Sequence, residues 1–169
     1  MANVRAVIAE HAARLRAMNE EVRRTFRLRP GGPQHRAASK AFLDGFDTLA
    51  FPGGLQRGLE RLKEHDPAAI ETAIQFLEED PWFFRSGYIK EDLSRLLKHA
   101  SLKDKQRIRL ASVVSTSIIR GTRRLAGHMA RLAPLVTAPS FLKAVESQAR
   151  SEDAEIRRRS EHILRVLKG

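Results

Sequence analysis

Residues 65–81, HDPAAIETAIQFLEEDP, decide the fold class of this chain. Asp66 followed by Pro67 is typical of a helix start, because aspartate caps free backbone N–H groups and proline suits the first helical position. Apolar residues then recur at a helical spacing, with acidic residues on the other side of the helix. Asp80-Pro81 repeats the pair, so we expect one helix to end there and the next to begin with little linker.

The same periodicity extends outward in both directions from this stretch. Residues 1–29 are predicted to form a long N-terminal helix, and residues 30–35, which contain Pro30-Gly31-Gly32-Pro33, a loop and candidate hinge. The few β-branched runs lie inside helical periodicity, so no strand is predicted. We expect an all-α fold in which residues 1–169 form a single domain of eight or nine mostly short helices, in a stack or an irregular bundle.

The helix predicted over residues 102–120 matters most for function, since its core positions determine which side faces solvent. Gly121-Thr122 is a candidate C-cap followed by an N-cap, although an unbroken helix to residue 133 is the alternative. The core positions that we assign to this helix are Ile108, Ala111, Val114, Ile118 and Ile119.

Composition excludes several classes of protein. The chain has no cysteine, which excludes disulfides, thiol nucleophiles and cysteine-ligated zinc and fits a cytoplasmic location. No apolar run approaches the roughly 20 residues that span a bilayer, and the N-terminus does not resemble a secretory signal. Hydrophobic residues make up 42% of the chain, enough for a packed core.

Charge is segregated along the chain. Residues 93–150 carry twelve Lys/Arg against two Asp/Glu, a net of +10, whereas residues 41–92 carry five against eleven, a net of −6. A segregated charge indicates a face with a preferred partner. The partner is predicted to be an acidic protein surface or a nucleic acid, and the acidic segment 41–92 of a second copy could also pair with 93–150. Solvation alone is the plain alternative.

The candidate partner-binding residues are the cations around the helix at 102–120. If that helix ran unbroken, Arg109, Arg120, Arg124 and Arg131 would fall within roughly 60° of one another, as a stripe suited to phosphates. With a break at Gly121 the stripe depends on how the two helices stack. The full set is Lys103, Lys105, Arg107, Arg109, Arg120, Arg123, Arg124 and Arg131.

An aromatic cluster lies in DPWFFRSGYIKE, residues 80–91. Trp82, Phe83 and Tyr88, beside Arg85, could form an exposed anchor that stacks on a base or enters a partner groove. The alternative is a plug between helices, since large aromatic side chains mostly fill cores. Consecutive helical residues point about 100° apart, so at least one ring is expected to be only partly buried.

Residues 139–169, PSFLKAVESQARSEDAEIRRRSEHILRVLKG, resemble a HEAT-type helical repeat. The residues that match the repeat are Asp153 in the polar turn, the aliphatic–Arg pair Ile156-Arg157, and the spaced Ile163 and Leu167. It implies a HEAT-like α–α stack, with Asp153 capping the second helix and an arginine bonding to the neighbouring repeat. It implies a binding scaffold rather than an activity.

No motif names a reaction, a metal or a cofactor, and none is predicted. None of the six histidines forms a His-x-x-x-His or His-x-His pair, and Asp66 in Glu64-His65-Asp66 is better used as a cap. Our first hypothesis is a non-enzymatic helical module that binds an acidic partner through residues 93–150. The second is a nucleic-acid-binding protein using the same face with aromatic stacking, and the third an enzyme with a dispersed site.

Overall fold

The computed structural model describes residues 3–121, 127–136 and 138–168. Within these ranges the chain forms eight complete α-helices, a further α-helical stretch at residues 127–129, one 3-10 helix at Ala130–Leu135 and no strand, which confirms the all-α prediction. The α-helices are α1 Val4–Leu28, α2 Pro33–Ala50, α3 Leu55–Lys63, α4 Pro67–Glu79, α5 Ser86–Leu97, α6 Asp104–Arg120, α7 Pro139–Gln148 and α8 Ala154–Lys168.

The loop between α1 and α2 is shorter than the hinge predicted over residues 30–35. Gly32 is the N-cap of α2 and Pro33 its first residue, so residues 33–35 are helical. Proline fits there because its fixed φ matches the helix and its missing N–H would have had no helical partner. Gly31 has a φ of +68°, which glycine adopts without steric cost.

The start of α4 confirms the cap predicted at Asp66. Its Oδ1 accepts hydrogen bonds from the backbone N–H groups of Ala68, at 2.8 Å, and Ala69, at 3.4 Å. The second predicted cap is wrong, because Asp80 ends α4 rather than opening the next helix. Asp80 takes a left-handed conformation, its N–H donates to the Phe76 carbonyl, and α5 begins only at Ser86.

Contacts divide the chain into two compact units, Met1–Gly87 and Tyr88–Gly169. In the first, α1 packs on α2 and α4, and α3 packs on α2 and α4. In the second, the 3-10 helix packs on α6 and α8, and α7 packs on α6 and α8. The single domain proposed over residues 1–169 and the HEAT-like stack both stay predictions.

Candidate partner-binding surface on helix α6

Helix α6 is buried along one side, and its buried residues are not all those assigned from the sequence. Leu110, Val114, Ser117 and Ile118 are buried, and the Ser117 hydroxyl donates to the Val114 carbonyl at 2.7 Å. Ile108 and Ile119 were both assigned to the core, but 67% and 51% of their surfaces are exposed. At about 100° per residue both isoleucines lie roughly opposite Leu110, so a helix that buries Leu110 must expose them.

The outer side of α6 therefore combines apolar, hydroxyl and cationic groups. We call the exposed side chains of this side the α6 face. Asp104, in the first turn, is the only acidic residue of the helix. No ion pair to Lys105 or Arg120 is found among the described residues. The members of the α6 face are Lys105, Ile108, Ser112, Thr116 and Ile119, and the exposed Asp104 and Arg120 lie at its two edges.

A groove runs beside this face, between α6 and the segment that follows the 3-10 helix. It has a volume of about 290 Å³, and we call it the α6 groove. Most of its lining is aliphatic, and Ile108 belongs to both the groove and the α6 face. Its lining residues are Asp104, Arg107, Ile108, Ala111, Leu135, Val136 and Ala138.

Arg107 holds the two walls of the α6 groove together. Its Nη1 donates to the Leu135 carbonyl at 2.9 Å, and its Nε donates to the Leu102 carbonyl at 3.3 Å. A charged donor on a backbone carbonyl gives one of the stronger hydrogen bonds in proteins. Arg107 was predicted to contact a partner, but it also has this structural role.

The continuous arginine stripe does not form as an unbroken helix, because α6 ends at Arg120. Gly121 is its C-cap, with extended backbone and an N–H that donates to the Ser117 carbonyl at 3.0 Å. Arg159 of α8 donates to the Gly121 carbonyl and so satisfies this helix end. Arg123, Arg124 and Thr122 lie outside the described residues.

The remaining predicted cations differ in their surroundings. Arg131 lies on the 3-10 helix, and its Nη1 is 3.5 Å from Glu91 Oε1. The other oxygen of that carboxylate is 3.4 Å from His128 Nε2. Arg109 is half-buried, whereas Lys103 is exposed. The Lys103 backbone N–H donates to Gln106 Oε1 at 2.9 Å, which completes the first turn of α6.

The acids of residues 41–92 are mostly engaged within the chain. The carboxylates of nine of the eleven form an ion pair or a side-chain hydrogen bond and Asp80 has a further interaction, whereas none is found for the Glu64 carboxylate among the described residues. Arg5, for example, is 2.6 Å from Glu78 and 3.2 Å from Glu79. Most carboxylates of residues 41–92 therefore form bonds within the chain's own fold.

The aromatic cluster divides between surface and core. Trp82 is 75% exposed, and its backbone carbonyl accepts a hydrogen bond from Arg16 at 2.9 Å. Phe83 is only 4% exposed, which corrects its place among the anchor residues. The Arg85 guanidinium lies 6.0 Å from the ring centre of Phe84, which is half-exposed. Tyr88, in the second unit, is also exposed.

The C-terminal helix pair contains the polar turn expected from the resemblance. Asp153 Oδ1 accepts from the backbone N–H groups of Glu155, at 2.8 Å, and Ile156, at 3.2 Å. The hydrogen bond from Ile156, followed by the one from Glu155, holds the pKa of Asp153 below its ordinary value. Arg157 donates to the carbonyls of Ser151 and Glu152, so its bonds are local. The arginine that reaches another helix is Arg159.

The described residues contain no group of three or more His, Cys, Asp or Glu side chains arranged to hold a metal ion. None of the helices in this part of the chain is both long and apolar enough to cross a membrane. Comparison of the chain with protein-family models, with curated proteins and with solved structures gives no match.

Proposed function

We propose that this protein is a non-enzymatic helical interaction module that binds an acidic amphipathic helix of a partner protein. The partner helix lies along α6, with apolar side chains in the α6 groove and carboxylates against Lys105. A cytoplasmic location belongs to the same proposal, because the chain has no cysteine and cannot form the disulfides that stabilise many proteins of oxidising compartments.

The observation that carries the proposal is the exposure of Ile108 at the rim of the α6 groove, about one helical turn from the exposed Lys105. An amphipathic helix in a groove is a recurring mode of peptide recognition, with apolar anchors about one turn apart. A groove of about 290 Å³ has room for such anchors. Asp104 lines the groove, but it is the only acid of α6 against four cations, so the net charge of the helix favours an acidic partner.

The same face fits nucleic acid less well. Single-stranded nucleic acid is bound by aromatic side chains that stack on bases and by cations that contact phosphates. The large apolar residues exposed on α6 are isoleucines, whose branched side chains gain most by burial against other apolar groups. Nucleic acid remains the second candidate because Trp82 is exposed near Arg85 in the sequence.

The proposal is tested with a labelled amphipathic peptide of about 20 residues, with leucines on one side and glutamates flanking them. Ile108→Ser should weaken binding about tenfold, because the peptide can no longer bury that side chain. Lys105→Glu should also weaken it, and added salt should reduce this effect. Lys143→Glu makes the same charge change at an exposed residue of another helix, α7, and is the matched control.

A parallel titration with random-sequence single-stranded DNA separates the two candidates. If phosphates are the ligand, affinity falls steeply with salt and Ile108→Ser has no effect. That result, together with a peptide affinity equal in wild type and in Ile108→Ser, would overturn the proposal in favour of nucleic acid.

A further inference from the structure

A second concavity lies in the first unit, far along the chain from α6. It is formed between α3 and α4, is closed at one end by the turn at Phe51-Pro52-Gly53, and has a volume of about 170 Å³. We call it the α3–α4 pocket. Its lining residues are Phe51, Pro52, Gly53, Arg57, Gly58, Arg61, Ala69 and Thr72.

Two arginines on the same side of α3 line this pocket. Arg57 and Arg61 are four residues apart, so their side chains project from one face of the helix. Glu60, which could have paired with Arg57, is instead 3.4 Å from the Gln56 side-chain nitrogen. No ion pair to Arg57 is found among the described residues, so its charge is unmatched within them.

Arg61 is held in place by a carboxylate that does not itself line the pocket. Its Nε donates to Asp66 Oδ2 at 2.7 Å, and its Nη2 is 2.7 Å from the same oxygen. Nη1 is not used by Asp66 and is left for another acceptor. A guanidinium fixed on one edge loses less freedom when it binds a ligand with its remaining donors.

The rest of the lining is uncharged, and it is closely packed at Gly58 but open at Gly53. Gly53 has a φ of +82°, which allows the turn, and a Cβ added there would meet no atom within 4 Å. At Gly58 an added Cβ would lie 2.5 Å from the Phe51 ring, so glycine lets this buried ring form the floor. The Thr72 hydroxyl donates to the Ala68 carbonyl at 2.9 Å. None of the lining residues is acidic.

From this geometry we propose that the α3–α4 pocket binds a phosphate group, either free or as the monoester of a small molecule. Two guanidinium groups on one side of an acid-free pocket match an anion with several oxygens, which both arginines can contact at once. A carboxylate has only two oxygens, so it would bind one guanidinium group fully and the other poorly. The site lies within Met1–Gly87 and does not depend on the function proposed for α6.

The test is an NMR titration of the ¹⁵N-labelled full chain with inorganic phosphate, with glycerol 3-phosphate and with sodium chloride at matched ionic strength. Phosphate should give saturable shifts at the Gly53, Gly54 and Gly58 amides that chloride does not reproduce. Tighter binding of the ester would identify a phosphorylated small molecule as the ligand, and equal binding would identify free phosphate.

Variants of exposed residues make the test specific. Arg57→Gln should weaken phosphate binding about tenfold or more, and Arg57→Lys should retain part of it, because lysine keeps the charge but lacks the fork. Lys63→Gln removes an equal charge from the same helix outside the pocket and should bind like wild type. The proposal is overturned if Arg57→Gln binds like wild type, if Lys63→Gln loses as much, or if chloride gives the same shifts.

Discussion

Trp82 and Phe83 are neighbours in the sequence with opposite environments. The indole of Trp82 is exposed, whereas the ring of Phe83 packs edge-on against Phe76 and Phe46, with ring centres 6.4 and 6.5 Å apart. Phe83 therefore fits the interpretation of a plug between helices, and the anchor stays a prediction for the exposed Trp82. Phe83 contributes to the core of the first unit, and Trp82 is available to a partner.

Alanine substitutions at these two positions should differ strongly in stability. Phe83→Ala should lower the free energy of unfolding by about 3–5 kcal/mol, because it leaves a cavity among aromatic side chains. Trp82→Ala should change it by less than about 1 kcal/mol, since the Arg16 hydrogen bond is made to the backbone carbonyl. Urea unfolding followed by circular dichroism measures both, and similar losses in the two variants would contradict the assignment.

Asp66 stabilises the fold in its ionised form. The hydrogen bond from the Arg61 side chain, and then the backbone hydrogen bond from Ala68, hold the pKa of this carboxyl below its ordinary value of 3.8. A group whose pKa is depressed on folding contributes stability above its unfolded pKa, and this contribution is lost as pH falls through the folded pKa.

Asp66→Asn should isolate this charge, because asparagine caps a helix about as well as aspartate. Near pH 7 the variant should melt at a lower temperature than wild type, and the two melting temperatures should converge as pH falls below the ordinary pKa of the carboxyl. Glu64→Gln removes a neighbouring carboxylate that has no ion pair among the described residues and serves as the control. A melting-temperature difference that stays constant down to about pH 2 would contradict the role of Asp66.

At the scale of helices, the ends were predictable where they depend on adjacent residues. Asp66 capping α4 follows from the Asp-Pro pair alone, because the cap acts on N–H groups two and three residues away. The orientation of α6 was not predictable in this way. Isoleucines lie on both of its sides, and the choice of the Leu110 side depends on packing against the 3-10 helix, α7 and α8.

The α6 groove could not be predicted from the sequence for the same reason, since it depends on packing between distant segments. The α6 groove joins α6 to Leu135, Val136 and Ala138, which are distant in sequence, so no local pattern marks it. The spacing of Leu110, Val114 and Ile118, four residues each, was the available signal for the buried side, and it implies that Ile108 is exposed. The cations of the site were found because charge composition does not depend on orientation.

Arg159 provides a test of how α8 supports α6. Its hydrogen bond satisfies the Gly121 carbonyl at the end of α6, so Arg159→Met should lower the free energy of unfolding by about 1–3 kcal/mol. Arg158→Met on the same helix breaks only an exposed pair with Glu155 at 2.7 Å and should cost less than about 1 kcal/mol. Urea unfolding that gives equal losses for both variants would remove this role from Arg159.

At the scale of the whole chain, the segregated charge has two different consequences. The acids of residues 41–92 mostly bond within the chain, whereas the exposed cations of α6 lack ion pairs among the described residues. Pairing between two copies stays a prediction, and it would require those acids to exchange partners. Binding of an acidic segment from another protein would not require the ion pairs of residues 41–92 to break.

The most direct test of this account is the affinity of the full chain for the acidic amphipathic peptide and for a scrambled peptide of the same composition, measured by fluorescence anisotropy at about 150 mM salt. The two peptides carry the same charge, so any difference reports the apolar side chains that the α6 groove receives. We predict that the amphipathic peptide binds at least about tenfold more tightly. Equal affinities would show that charge alone attracts the peptides and would contradict the proposed groove.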